Sequence, residues 1–515
     1  MNISKEFLPG DVCDILFKGK KISVDESAVL KVNAAYDFLK SFSTDKIIYG
    51  INTGLGPMTQ YKISPQKLSE LQYNLIRSHA SGCSTPLPEL YVKAAMLSRL
   101  KSLSQGYSGA HIDAINILAD LINHDITPYI PEHGSVGASG DLVQLAHLAL
   151  VLIGEGEVFY KGTLRPTKDV FRELKLTPLT VKIREGLALI NGTSVMTGIG
   201  LVNLVYARRI IAWMVTASAM ISEIISSFDD YYSAELNCVK LHEGQRYIAA
   251  CLSHMLSTSK LVKKRPEHLY DKKVEEDIFD EKIQEYYSIR CAPQVIGAIW
   301  DTIVNAEKVV YNEFESVSDN PIIDVEHRNV YHGGNFHGDY ISFEMDKLKI
   351  AVAKLSLLAE RQLNFLLNNK LNCKLPPFVN LGVLGLNLGM QGVQFTAVST
   401  AAENQTLAYP MYLHTIPNNN DNQDIVSMGT NAALLAKKVI ENSYEVLAIE
   451  FMTLIQAVDY QKTQSRMSAH TRKVYDDLRA IVPVFIEDTP KYRDIENMKK
   501  YMMSNSPEMK PQEAK

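Results

Sequence analysis

Residues 133 to 142 read His133-Gly134-Ser135-Val136-Gly137-Ala138-Ser139-Gly140-Asp141-Leu142, followed by Val143-Gln144-Leu145-Ala146-His147-Leu148-Ala149-Leu150-Val151-Leu152-Ile153. The first stretch is too rich in glycine for a helix and too polar for a core strand. The second is a run of strong helix formers with Asp141 at the N-cap position. Together they predict a tight, reactive loop at a helix N-terminus.

Three glycines within residues 134 to 140 let this backbone fold on itself and approach other groups closely. Ala138-Ser139-Gly140 has a chemistry of its own. If the Gly140 nitrogen attacks the Ala138 carbonyl and two waters leave, one carrying the Ser139 hydroxyl, the product is a 4-methylidene-imidazol-5-one ring. Its exocyclic methylene is an electrophile made from the chain itself, and only a glycine nitrogen is uncrowded enough to form it easily. The plain alternative is a glycine-rich turn that caps the helix. A serine hydrolase fits less well, because Gly137-Ala138-Ser139-Gly140 is not Gly-x-Ser-x-Gly and the preceding strand is missing.

At 515 residues the chain is long enough for a large buried core, and 53 basic against 58 acidic residues give a net charge of −5. That balance leaves no footprint for nucleic acid. The six cysteines, at 13, 83, 238, 251, 291 and 373, have neither zinc nor disulfide spacing. With no signal-peptide core at Met1-Asn2-Ile3-Ser4-Lys5-Glu6, they predict a reducing, cytoplasmic setting. The charge-free run Leu187 to Ala207 is broken by Asn191, Gly192, Gly198, Gly200 and Asn203, so it reads as buried protein and not as a membrane span.

Upstream of the loop, the pattern predicts a helix around Glu26 to Phe42. In Tyr49-Gly50-Ile51-Asn52-Thr53-Gly54-Leu55-Gly56-Pro57, three glycines and a proline preclude regular structure and leave a tyrosine on a mobile loop. Ser64-Pro65 starts a helix carrying Leu68, Leu71 and Leu75, which ends near Arg77-Ser78-His79. A histidine there suits a helix C-terminus. Further helices are expected over 90–102 and 111–124, and a small hairpin over 154–162. Asn191 is an amide in an apolar run and needs hydrogen-bond partners. Long helices are expected over 198–228, 345–366 and 425–460. In the second, Met345, Leu348, Val352, Leu355, Ala359, Leu363 and Leu366 form one apolar stripe. Gln284 to Cys291 reads as a helix with Tyr287 and Arg290 on one face. His332 and His337 lack further ligands at metal spacing. The tail from Ser504 has no apolar period.

Ala138-Ser139-Gly140-Asp141 resembles the signature of the aromatic amino acid ammonia-lyases and aminomutases. Six motifs agree with that family, in its order, over about residues 45 to 460. The resemblance implies a mainly α fold, with a long central bundle (196–480) after an N-terminal domain (1–195) carrying the self-made electrophile, then a C-terminal helix and tail (481–515). It also implies a homotetramer with active sites shared between subunits. Catalysis would rest on the methylidene-imidazolone from Ala138, Ser139 and Gly140, on Tyr49 as the base that removes a substrate proton, and on Tyr287. Gly56, Ser78, His79, Asn191, Gln284, Arg290, Gln391, Glu403, Asn422 and Gln423 would bind substrate, Phe336 would pack against the electrophile, and no metal or external cofactor is implied.

Ser78-His79 and Glu403 are what histidine ammonia-lyases tend to carry. The amides of Gly389-Met390-Gln391-Gly392-Val393-Gln394 and of Asn418 to Gln423 look more like the tyrosine ammonia-lyases of flavobacteria, which keep the Ser-His pair. The resemblance therefore implies elimination of ammonia from L-tyrosine to give trans-p-coumarate. The alternatives are histidine to urocanate, a tyrosine 2,3-aminomutase, and a non-catalytic helical scaffold.

Overall fold

The computed structural model describes residues 1–270, 277–279 and 282–511. The chain is mainly α-helical, with a few short strands. Helices span Glu26–Phe42, Leu68–His79, Glu89–Ser104 and Ile112–Asn123 early in the chain, then Ser194–Ile225, Asp339–Leu367 and Gly429–Gln461. The stripe Met345, Leu348, Val352, Leu355, Ala359, Leu363 and Leu366 is fully buried. Each such leucine contributes about 1.5–3 kcal/mol by leaving water. The Ser194–Ile225 helix is long and apolar enough to cross a membrane, but 78% of its most apolar window is buried in the structure, as in a core helix.

The chain folds as two compact units. The first comprises Met1–Val205, Ala306–Asp346 and Pro410–Lys437. The second comprises Tyr206–Asn305, Lys347–Tyr409 and Lys438–Lys515. This interleaving differs from the contiguous division 1–195, 196–480 and 481–515, because Ser194–Ile225, Ala292–Phe314, Asp339–Leu367 and Gly429–Gln461 each contribute to both units.

Within the first unit, short antiparallel ladders brace the helices. Cys83–Pro86 pairs with Pro131–His133, which leads into the glycine-rich loop. Thr127–Pro128, Glu157–Tyr160 and Thr163–Pro166 form a three-stranded sheet. The hairpin turns at Lys161-Gly162, where both residues take positive φ (53° and 75°) as a two-residue hairpin turn requires, so its second strand runs to Pro166, beyond the expected 154–162. Within the second unit, the Tyr492–Ser504 helix is pinned by Trp213, whose indole Nε1 donates to the Met502 carbonyl at 3.0 Å. Residues 505–511 are irregular, and the last four residues of the expected tail lie outside the described residues.

Two local expectations change. Helix around Tyr287 is a single turn, Tyr287–Arg290, and Gln284 precedes it. The (i, i+3) pairing survives in that turn: the Arg290 guanidinium sits 4.6 Å from the Tyr287 ring centre. The Tyr49 stretch also holds some regular structure. Gly56–Met58 is a 3-10 turn with proline in its first turn, where the missing N–H costs nothing.

Candidate active site

Three segments of the first unit grip the glycine-rich loop. Gly137 O accepts from the Gly338 amide (3.1 Å) and from Ser427 Oγ (2.9 Å), and Val136 O accepts from the Met428 amide (3.0 Å). The Asp141 amide donates to Gly192 O at 2.8 Å, and the Gly192 amide donates to Ser139 O at 3.3 Å. Gly140 has φ +72°, and a Cβ there would lie 2.0 Å from Gly192 O. No other residue fits that position.

Asp141 occupies the N-cap position of the Leu142–Leu152 helix but makes no side-chain cap to it. Its fully buried carboxylate accepts instead from the Val195 (2.8 Å) and Met196 (2.9 Å) amides, at the start of the Ser194–Ile225 helix. Ser135 Oγ (2.8 Å) and Thr430 Oγ1 also donate to it. Burial pushes this carboxyl up, against the pull of the four donors. The residue read as capping one helix thus caps another and ties it to the reactive loop.

Ser139 is held at both ends. Gln423 Nε2 donates to its hydroxyl at 2.9 Å, and Asn191 Nδ2 donates to its carbonyl at 3.1 Å. A carbonyl only accepts, so the Asn191 amide nitrogen must face it, which leaves Asn191 Oδ1 buried without a partner among the described residues. Gln423 arrives on a tight turn in which Asn419, Asn420 and Asp421 all have positive φ and the backbones of Asn418 and Gln423 bond reciprocally. Asparagine and aspartate tolerate that conformation better than most residues.

These groups open on a cavity of about 400 Å³, lined by Tyr49, Gly56, Ser78, His79, Ser139, Asn191, Asn422 and Gln423 among others. A space of this size suits a small ligand. All the lining residues belong to the first unit. Leu71, Leu75, Leu142 and Leu187 supply apolar wall. The Gly56 amide donates to the Tyr49 hydroxyl at 3.3 Å, and Gly56 itself (φ +54°) packs so tightly that a Cβ would come 2.9 Å from Asn419 Nδ2. At the other end, His79 Nδ1 lies 3.0 Å from the Leu75 carbonyl and 3.1 Å from Ser78 Oγ. The carbonyl requires a proton on Nδ1, which leaves Nε2 as the nitrogen able to accept. His79 therefore satisfies a last-turn carbonyl and lines the cavity as well.

Of the remaining sequence-derived candidates, Ala138 and Gly140 flank Ser139. Phe336 belongs to the first unit but does not line the cavity. Gln284, Tyr287, Arg290, Gln391 and Glu403 belong to the second unit and do not line it either. Tyr287 is 71% exposed, and Glu403 accepts from Asn442 Nδ2 at 2.6 Å. Among the described residues no cluster of three or more His, Cys, Asp or Glu has a metal-holding arrangement. Sequence reasoning passed over Asn419, hidden in its run of amides, and Gln72. The signal for Gln72 was present: it shares a helix face with Leu68, Leu75 and His79.

Comparison with known proteins agrees with this architecture. Residues 9–480 match the family described as aromatic amino acid lyase, and the chain belongs to that family, a family of carbon–nitrogen lyases. It is 39% identical over 481 residues to a tyrosine 2,3-aminomutase of Myxococcus sp. (strain Mx-B0), covering 91% of this chain and 90% of that protein. It is 37% identical over 493 residues to a histidine ammonia-lyase of Shouchella clausii, covering 96% and 95%. The crystal structure of a tyrosine aminomutase from Streptomyces globisporus superposes with a TM-score of 0.93 at 34% identity, covering 98% of this chain and 96% of that one.

Proposed function

We propose that this protein is a cytoplasmic ammonia-lyase that converts L-tyrosine to trans-p-coumarate and ammonia, using a methylidene-imidazolone formed from Ala138-Ser139-Gly140. The juxtaposition that carries the reading is the Ser139 hydroxyl, held by Gln423, in one cavity with the Tyr49 hydroxyl and the Ser78-His79 helix end. The residues present fit such a group: position 140 excludes any side chain, and donors from Asn191, Gly192 and Gln423 hold Ser139 from two directions. The group supplies an electrophilic methylene at the position of Ser139, which assists departure of an ammonium that is a poor leaving group on its own.

The chain's own residues do the rest. Tyr49, its oxygen oriented by the Gly56 amide, takes the proton beta to the carboxylate. The orphaned Asn191 Oδ1 accepts from the substrate ammonium. Leu71, Leu75 and Leu142 enclose the aromatic ring. His79 Nε2 accepts from the phenol hydroxyl, which is the argument for tyrosine over phenylalanine. An imidazole N–H can make the same bond, so histidine is the competing substrate, and similarity to both a tyrosine enzyme and a histidine enzyme supports this pairing.

In this reading the protein is a homotetramer, and Tyr287, Arg290, Gln284, Gln391 and Glu403 serve the cavity of another subunit. Arg290 offers the substrate carboxylate a two-pronged donor. Mixing the inactive variants Ser139→Ala and Arg290→Ala should restore some activity in mixed tetramers. No restoration would refute shared sites.

A second reading, a tyrosine 2,3-aminomutase, is favoured by the closure of the Tyr49 loop. The Gly54 amide bonds Tyr61 O at 2.8 Å and the Ile63 amide bonds Asn52 O at 3.0 Å, a closed loop that would retain the unsaturated acid until ammonia re-adds. The deciding experiment incubates the protein separately with L-tyrosine, L-histidine and L-phenylalanine, following ultraviolet absorbance and separating products by chromatography. Coumarate alone supports the lyase, β-tyrosine the mutase and urocanate a histidine enzyme. Silence with all three would refute the proposal.

A further inference from the structure

Gln72 lies on the Leu68–His79 helix, two turns before His79, and is 1% exposed. Both ends of its amide are engaged across the chain. Its Nε2 donates to Gly50 O at 3.2 Å, and its Oε1 accepts from the Leu187 amide at 3.1 Å. Gly50 directly follows Tyr49. Leu187 lies in the first turn of the Glu185–Ile190 helix, whose C-cap is Asn191. One side chain therefore joins the backbones of three segments that separately carry Tyr49, His79 and Asn191.

The surrounding packing leaves these segments little freedom. A Cβ on Gly50 would come 2.3 Å from Leu187 Cδ2, and one on Gly186 would come 2.6 Å from Gln72 O. Gly50 and Gly186 thus let the loop and the short helix approach closely enough for one amide to span them. The Leu187 amide is among the first-turn donors that no intrahelical carbonyl satisfies, and the Gly50 carbonyl is a loop acceptor. Neither requirement is met by regular secondary structure.

We propose that Gln72 is a positioning residue that fixes the Tyr49 loop against the two helices that hold the substrate. The proposal rests on the reading of Tyr49 as the base. Its two hydrogen bonds separate its effects. The bond to Gly50 sets where Tyr49 stands, which matters in the transition state. The bond to Leu187 sets where Asn191 stands, which matters for binding as well.

Gln72→Glu keeps the size and the acceptor for the Leu187 amide but places a carboxylate oxygen against the Gly50 carbonyl. Gln72→Met keeps the length and removes both bonds. In Gln72→Glu, kcat should fall roughly 10- to 100-fold, the scale of a small displacement of a reacting group, with KM within about twofold. The kinetic isotope effect with β-deuterated substrate should rise as proton removal becomes limiting. Gln72→Met should lower kcat and raise KM together. The electrophile's ultraviolet signature should be unchanged in Gln72→Glu, which keeps the Leu187 bond behind Asn191, because neither hydrogen bond of Gln72 is made to the Ser139 loop.

A purely structural role would lower stability and electrophile content together without moving the isotope effect, and that result would overturn the proposal. So would wild-type kcat in either variant. Tyr49→Phe distinguishes the two levels. Normal turnover in Tyr49→Phe would remove the base reading and this proposal with it. A dead Tyr49→Phe beside a fully active Gln72→Glu would overturn the Gln72 assignment alone.

Discussion

Replacing Asp141 by alanine and by asparagine probes the link between the reactive loop and the helix behind it. Alanine removes the acceptor for four donors at once: the Val195 and Met196 amides, Ser135 Oγ and Thr430 Oγ1. The hydroxyls rotate, and Ser135 Oγ already has Gly140 O within 3.3 Å as an alternative. The two amides are fixed by the helix and have no such freedom. A buried donor left unsatisfied costs about 1–3 kcal/mol, so the pair costs roughly 2–6 kcal/mol, against typical total stabilities of about 5–15 kcal/mol. Asparagine keeps Oδ1 for the amides and turns Nδ2 towards Ser135 and Thr430, whose hydroxyls reorient to accept, so it should cost about 1 kcal/mol or less. The assay is urea denaturation of all three proteins at one protein concentration, with turnover and electrophile absorbance measured on the same samples. Asp141→Ala should be the least stable and fail to form the electrophile, and Asp141→Asn should retain both properties in large part. Stability of Asp141→Ala within about 1 kcal/mol of wild type would refute the capping argument.

Other outcomes follow from single positions. Gly56→Ala forces a side chain into φ +54° against Asn419 Nδ2; at a strain of about 1–2 kcal/mol it should lower kcat/KM roughly 5- to 30-fold with little change in melting temperature. An unchanged kcat/KM would mean the Tyr49 loop tolerates opening there. His79→Phe removes the acceptor Nε2 and should shift the ratio of kcat/KM values from tyrosine towards phenylalanine; a constant ratio would exclude a phenol contact. Glu450 is fully buried, neither of its oxygens has a partner among the described residues, and burial holds its carboxyl well above the ordinary value of 4.5. The folded chain therefore keeps a proton that the unfolded chain releases, and stability falls as pH rises above about 4.5. Glu450→Gln should be stabilised relative to wild type, more at pH 8 than at pH 5. A pH-independent difference between the two proteins would contradict this.

Much of the fold was legible because helix periodicity is a local property. The stripe from Met345 to Leu366 states its own buried face, and Glu26–Phe42 is bounded in the sequence as it is in space. The hairpin runs on to Pro166 because its turn sits at Lys161-Gly162, and a turn is set by which glycine has a neighbour able to take positive φ, a weaker signal than the apolar period. The helix at Tyr287 shrank to one turn, since a pairing at (i, i+3) is satisfied by a single turn and gives no measure of length.

What the sequence determined by itself is the chemistry available: Ala138-Ser139-Gly140 able to cyclise, a tyrosine on a glycine-rich loop, a histidine at a helix end, and amides placed in apolar company. What only the tertiary structure decided is which of these meet and what holds them. Gln423 reaches Ser139 across 284 residues, Asp141 caps a helix other than its own, and Gln72 bridges Gly50 and Leu187 from a face that reads as plain core. The physical reason is range. Propensity and periodicity act over a few residues. A buried amide or carboxylate is satisfied by whatever donors and acceptors the fold brings to it, however distant in the chain.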